Sequence, residues 1–213
     1  MKRFIVLAFG WLLALGTGTV LAADLQVGRD YSMIDPPQAT SSAGKIEVIE
    51  FFSYGCPHCN TLNPLITAWA AKLPKDVVFR RVPVTFNRPA WVRLAGIYYG
   101  LEATGNLEKL DSAVFAAIHD ERVNFNSDEA VATWVASKGV DAKKWADAVN
   151  SFSVQSRLKR IDQEAAAYRI TGVPALAING RYLVNNTAAE NYAALLTLTD
   201  AVIAKARSEN AGK

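Results

Sequence analysis

The amino-acid sequence predicts an α/β fold interrupted by an inserted all-helical domain, and three observations carry that prediction. Strand-type and helix-type periodicities follow one another in the order βαβ, then helices alone, then ββα. The strands on either side of the helical stretch are too few to make a stable sheet separately, so they are expected to pair with one another across it. The chain has 213 residues, 51% of them apolar and 20% charged. That is the composition of a globular chain long enough to bury its own core, which excludes a disordered, collagen-like or multi-span membrane protein.

Met1-Lys2-Arg3 is a short basic start, Phe4 to Leu15 is apolar apart from Gly10, and Val20-Leu21-Ala22 ends in small residues. This pattern reads as a secretory signal peptide over residues 1–22, cleaved after Ala22. The apolar core is shorter than the ~20 residues of a membrane span. Export implies an oxidising compartment. Losing Lys2 and Arg3 reduces the 23 basic side chains to 21 against 20 acidic ones, a net charge of +1. The remaining Lys and Arg are scattered singly or in pairs such as Arg80-Arg81 and Lys143-Lys144, with no basic stripe for nucleic acid.

After a polar lead containing Asp35-Pro36-Pro37, the run Ile46-Glu47-Val48-Ile49-Glu50-Phe51-Phe52 has the length and the β-branched and aromatic content of a buried strand. Leu62, Leu65, Ile66, Trp69 and Leu73 then describe one helical face, broken by Pro74-Lys75-Asp76. Val77 to Val84 supplies a second strand, expected to be parallel to the first through a right-handed crossover. From Pro89 to Tyr168 the spacing predicts five helices: Pro89–Ala103, Leu107–His119, Asp128–Lys138, Ala142–Asn150 and Val154–Tyr168. Ser127 and Asp141 stand as caps, with Gly105 and Gly139 at helix ends.

Ala175 to Ile178, Asn179-Gly180 and Arg181 to Val184 read as a hairpin on a type I′ turn. Thr187 and Glu190 form a candidate capping box for a last helix running to about Arg207, with the tail Ser208 to Lys213 frayed. The α/β domain is expected over residues 23–87 and 169–213, and the insertion over 88–168.

Cys56-Pro57-His58-Cys59 falls between the first strand and its helix, and these are the two cysteines of the chain. A staple closing four consecutive residues restricts the unfolded chain too little to be structural. A zinc site would have to find its other ligands far away, among His119 and carboxylates. Covalent haem needs His directly after the second Cys, where Asn60 stands. The redox reading fits better. A cysteine at a helix N-terminus faces unpaired N–H groups and the positive end of the helix dipole, which favour the thiolate. Pro57 suits the first helical position, His58 adds a donor beside Cys56, and Cys59, one turn in, is placed to resolve. A thiol pKa of ~3.5, the low end for such sites, would favour the thiolate at pH 7 by about 4.8 kcal/mol, on the order of 100 mV toward the reduced form. A protein so poised gives its disulfide away.

The run Glu50-Phe51-Phe52-Ser53, the tetrad Cys56-Pro57-His58-Cys59, Pro64 in the helix, Gly172-Val173-Pro174 before a strand and the helical insertion resemble the thioredoxin superfamily. Within it they resemble the periplasmic thiol:disulfide interchange proteins of the DsbA family, over essentially the whole mature chain. That family itself marks the low end of the thiol pKa range used above. The resemblance implies a thioredoxin-like fold, with Cys56 the exposed cysteine that forms a mixed disulfide, Cys59 its buried partner and His58 the main tuner. Pro174 would be a cis-proline opposite the disulfide, Val173 would offer backbone to substrate, and Glu50 would be a buried acid assisting proton transfer at Cys59. It further implies unfolded exported proteins with free thiols as substrates, a membrane re-oxidant of the DsbB type, a periplasmic location, a monomer, and no cofactor beyond the Cys56–Cys59 disulfide.

Read from the residues, Glu47 is expected to face solvent, His119 to be an ordinary helix-end imidazole, and Gly55 to leave the rim of the site flat and weakly apolar. The expected function is dithiol oxidation. A disulfide reductase or isomerase would sit nearer the glutathione potential. A peptide-binding chaperone or a thiolate metal carrier would use the fold without thiol oxidation.

Overall fold

The structure, a computed structural model, describes residues 25–211; the expected signal peptide lies outside the described residues. The continuous apolar run makes β2 (Ile46–Phe52), buried along its whole length, as expected of a strand covered on both faces. Around it the sheet has the order β1-β5-β4-β2-β3, from β1 (Tyr31–Met33), β3 (Val77–Pro83), β4 (Ala175–Ile178) and β5 (Tyr182–Val184). β2 pairs in parallel with β3, with Glu50 opposite Arg81. It pairs antiparallel with β4, with Glu50 opposite Leu176, so the sheet closes across the insertion as expected. Asn179 (φ 53°) and Gly180 (φ 65°) make the hairpin turn. A Cβ on Gly180 would lie 2.0 Å from the Gln38 carbonyl oxygen, which only glycine tolerates.

Between β2 and β3 runs α1 (Pro57–Ala70). The insertion comprises α2 (Pro89–Ala103), α3 (Leu107–His119), α4 (Asp128–Ser137), α5 (Ala142–Val149) and α6 (Phe152–Ala167), and the described chain ends in α7 (Tyr192–Ala211). Ser127, Asp141 and Ser151 accept from the N–H of Ala130, Lys144 and Val154, capping α4, α5 and α6. Ile46 and Val48 pack with Leu62 and Ile66 of α1 and Leu195 and Val202 of α7. Ile49 and Phe51 belong to a larger cluster that continues without a break into the insertion, through Ile97, Phe115, Val135 and Ile161. Gly100 lets α2 and α5 approach closely, since a Cβ there would meet the Trp145 ring at 2.6 Å.

The chain enters the insertion through Phe86 (φ 47°) and Asn87 (φ 55°), both left-handed. The Asp162 carboxylate of α6 holds this bend. It accepts from the N–H of Thr85 at 3.1 Å, of Phe86 at 3.1 Å and of Asn87 at 3.2 Å, and from the Thr85 hydroxyl.

Four expectations are corrected. β1 lies in what reads as a polar lead; it is an edge strand of three residues that exists through its pairing with β5. Thr187 falls in a short 3₁₀ turn (Asn186–Ala188), and the last helix starts at Tyr192 behind Asn191, whose Oδ1 accepts from Ala194 N–H at 2.9 Å. That helix runs on to Ala211, so most of the expected frayed tail is helical. Glu47 is fully buried, because both faces of β2 are covered, and it accepts from Arg80 Nε at 3.0 Å and Ser41 N–H at 3.1 Å.

Candidate active site

β2 ends at Phe52, the chain turns through Ser53-Tyr54-Gly55, and Cys56 becomes the N-cap residue of α1 in extended conformation, with Pro57 first in the helix. The Cys56 N–H donates to the Ser53 carbonyl at 3.1 Å, and its own carbonyl accepts from Asn60 at 3.1 Å. This places the Cys56 sulfur at the open end of α1 and Cys59 inside the first turn. Both are free thiols. Pro57 and His58 are exposed. Cys59 is 0% accessible and Cys56 only 6%, so Cys56 is far less exposed than the resemblance implies. Its cover includes Val173, whose carbonyl accepts from the Cys56 thiol at 3.4 Å. The Val173–Pro174 peptide is cis, and Asn186 Nδ2 donates to the Pro174 carbonyl.

The two thiols are driven apart. The Cys56 pKa falls from 9.0 to about 6, first because the Cys59 thiol donates to its sulfur, then through the N–H groups of Cys59 and His58, and last through the His58 charge, all against the opposing cost of burial. Burial pushes Cys59 far up, and the neighbouring Cys56 and Glu50 push it further. The Cys56 pKa stays above the ~3.5 of the low end of such sites, and the helix end and Cys59 outweigh His58.

Glu50 is buried with no accessible surface. One of its oxygens accepts from Arg81 Nε at 2.6 Å, and the other has no hydrogen-bond partner among the described residues. Arg81 also reaches Asp111 of α3 through Nη1 at 2.7 Å, Asp111 accepts from the Tyr54 hydroxyl at 2.6 Å, and the guanidinium lies 3.8 Å from the centre of the Phe52 ring. Burial raises the Glu50 pKa, the Arg81 charge opposes that, and the Asp111 and Cys56 charges add to it.

Residues from three places in the insertion shape the site without any local signal. A Cβ on Gly55 would lie 2.9 Å from Trp91 Nε1 and 3.1 Å from Leu94 Cδ1, so the space expected to be a flat rim is filled by α2. His119 ends α3 as expected, but its Nε2 lies 2.8 Å from the Tyr54 carbonyl and ties the insertion to the loop before Cys56. Asp111 is the third. A groove of about 490 Å³ beside Val173-Pro174 is lined by Tyr31, Gly172, Leu183 and Asn186 among others, and by no residue of α2 to α6. Among the described residues no three His, Cys, Asp or Glu side chains gather as a metal site would need.

A thioredoxin-type sheet, a Cys-x-x-Cys at a helix N-terminus and, against the first sulfur, the carbonyl of the residue before a cis-proline define a dithiol redox protein. The family model of the DSBA-like thioredoxin domain matches residues 47–197. The thiol:disulfide interchange protein DsbA of Bordetella pertussis is 41% identical over 199 residues, covering 91% of this chain and 93% of that protein. Its counterpart in Pseudomonas aeruginosa is 36% identical over 208 residues, covering 98% of each. The crystal structure of Pseudomonas aeruginosa DsbA superposes with a TM-score of 0.83 at 37% identity, covering 89% of this chain and 98% of that one. DsbA from Xylella fastidiosa gives 0.79 at 31% identity, covering 86% and 98%. The chain belongs to the DsbA family of thioredoxin-fold proteins and is a thiol:disulfide oxidoreductase.

Proposed function

We propose that Cys56 and Cys59 form the disulfide this enzyme donates to newly exported proteins with free thiols, in the periplasm, after removal of residues 1–22. The asymmetry of the two thiols carries this reading: Cys56 ionises near pH 6 while Cys59 stays protonated. A substrate thiolate attacks the Cys56 sulfur of the Cys56–Cys59 disulfide, and the bonding pair leaves on Cys59, which takes a proton from the Glu50 carboxyl. A second substrate thiolate then attacks the substrate sulfur of the mixed disulfide. The substrate disulfide forms and Cys56 departs as a stabilised thiolate, leaving the substrate oxidised by two electrons and the pair reduced.

In this reading the N–H groups of His58 and Cys59 hold the Cys56 thiolate, Pro57 starts the helix without wasting a donor, and the His58 charge adds to the tuning. The Val173 carbonyl beside the sulfur supports a strand-like approach of the substrate backbone at Val173-Pro174. The family works on protein substrates together with DsbB; a DsbB-type membrane protein is the proposed re-oxidant here, acting on a monomer with no cofactor besides the disulfide. The proposed division of the chain is a thioredoxin-like domain (23–87 and 169–213) and a helical domain (88–168).

Cys56→Ser tests the assignment: oxidation of a reduced dithiol peptide should be abolished, and persistent turnover would overturn it. Reduction or isomerisation as the main activity would show as a reduction potential at or below the glutathione couple.

A further inference from the structure

Two carboxylates share one guanidinium behind the cysteines. Glu50 lies on β2 and Asp111 on α3, and Arg81 of β3 spends Nε on the first and Nη1 on the second. Arg81 has little exposed surface and Glu50 none, while Asp111 is mostly covered. Two anions around one cation leave the cluster one positive charge short, and a buried site tolerates that poorly. Asp111 is held by a second donor, the Tyr54 hydroxyl, whereas Glu50 keeps an oxygen with no hydrogen-bond partner among the described residues. The deficit therefore falls on Glu50.

We propose that Asp111, supplied by the helical insertion, is a positioning residue for proton transfer at Cys59: by holding one arm of Arg81 it keeps Glu50 under-compensated and able to take up and give back a proton. This rests on the reading of Glu50 above and deepens it. The charged and titratable groups facing Glu50 are Arg81, Asp111, Cys56 and Cys59, and those facing Arg81 further include Tyr54 and Tyr98. None of these besides Asp111 comes from α3. The insertion thus acts on the chemistry as well as covering it.

The test is the pH profile of single-turnover oxidation of a reduced dithiol peptide by the oxidised protein, with each rate divided by the thiolate fraction of the peptide. On this scale the rate falls as Glu50 loses its proton. Asp111→Asn keeps polar partners for both Tyr54 and Arg81 but removes the charge, so Arg81 compensates Glu50 alone. The falling limb should move to lower pH by about one unit, the scale on which a removed like charge acts at such distances. Asp111→Glu should move it back toward the wild-type position, which a general weakening of the fold would not do. An unmoved limb in Asp111→Asn, or one moved to higher pH, overturns the proposal. Glu50→Gln separates this failure from that of the underlying reading. If the limb vanishes in Glu50→Gln yet stays put in Asp111→Asn, only the role of Asp111 falls; if it survives in Glu50→Gln, the role of Glu50 falls and the inference with it.

Discussion

The reduction potential of Cys56/Cys59 should depend on pH with a break near pH 6. Below the break, reducing the disulfide takes up two electrons and two protons, and the potential falls by about 59 mV per pH unit, twice the ~30 mV per tenfold change of a two-electron couple. Above it Cys56 remains a thiolate and only Cys59 gains a proton, so the slope halves to about 30 mV per unit. Cys59, pushed far up by burial, adds no second break below pH 9. At pH 7 the stabilised thiolate lies about one unit beyond its midpoint of about 6, worth about 1.4 kcal/mol and therefore about 30 mV of extra oxidising power. The same ionisation acts on stability. The folded pKa is below that of an unfolded thiol, ~8.5, so the stabilisation of the reduced protein is complete above ~8.5 and is lost as pH falls through about 6. Equilibration in glutathione mixtures from pH 5 to 9, quenched by alkylation, measures the slopes. A Glu50→Gln background removes any contribution from that carboxyl. A straight line of about 59 mV per unit through pH 8 would refute the lowered Cys56 pKa and the role given to the helix end.

Glu47→Gln should lower stability by about 2 kcal/mol in urea, since the buried carboxylate loses its charge-assisted bonds to Arg80 and Ser41. Arg80 and Ser41 hold the Glu47 pKa down against burial. The wild type should therefore lose this contribution as pH falls below the unfolded carboxyl's ~4.3, and the variant's stability should change less over that acid range. Asp162→Ala should cost about 2–3 kcal/mol by leaving the N–H groups at Thr85, Phe86 and Asn87 without their acceptor; an unchanged urea midpoint would argue that water replaces the carboxylate. Gly100→Ala should cost about 1–3 kcal/mol by overpacking against Trp145, measured as a lower thermal midpoint.

The pair Cys56/Cys59 and the order of the elements from β2 onward were legible because each is local: a tetrad, a periodicity of two or of 3.6 residues. The cis-proline at Val173-Pro174 was implied only by the resemblance to the family, since a Val-Pro before a strand does not by itself mark a cis bond. What was misread depends on distant partners. Glu47 and Glu50 alternate along β2 and look alike in sequence, and the covering of both faces of the strand, which buries both, is a property of α1, α6 and α7 together. Tyr31-Ser32-Met33 is a strand because Tyr182 to Val184 lies beside it. The start of α7 was read at Thr187, which instead falls in a 3₁₀ turn, and Asn191 provides the acceptor four residues later. Trp91, Asp111 and His119 reach the site from α2 and α3, and nothing in their own neighbourhoods marks that. His58 is visible in the tetrad as a contributor to the Cys56 shift, whereas the opposing cost of covering Cys56 is not.

The placement of β4 beside β2 has a consequence for how the protein is born. A chain made from its N-terminus delivers Cys56 long before Val173, 117 residues later, so the cysteine pair spends early folding with a bare sheet edge and without the carbonyl that later covers it. The central strand can complete its pairing only when the whole helical insertion has passed through, and contacts of such sequence separation make folding slow. Until then the nascent enzyme is itself a chain with two uncovered thiols, the same chemical species that, on the function proposed above, its mature copies oxidise. Newly made molecules would thus enter the pool of their own substrates, and finished copies would supply their first disulfide.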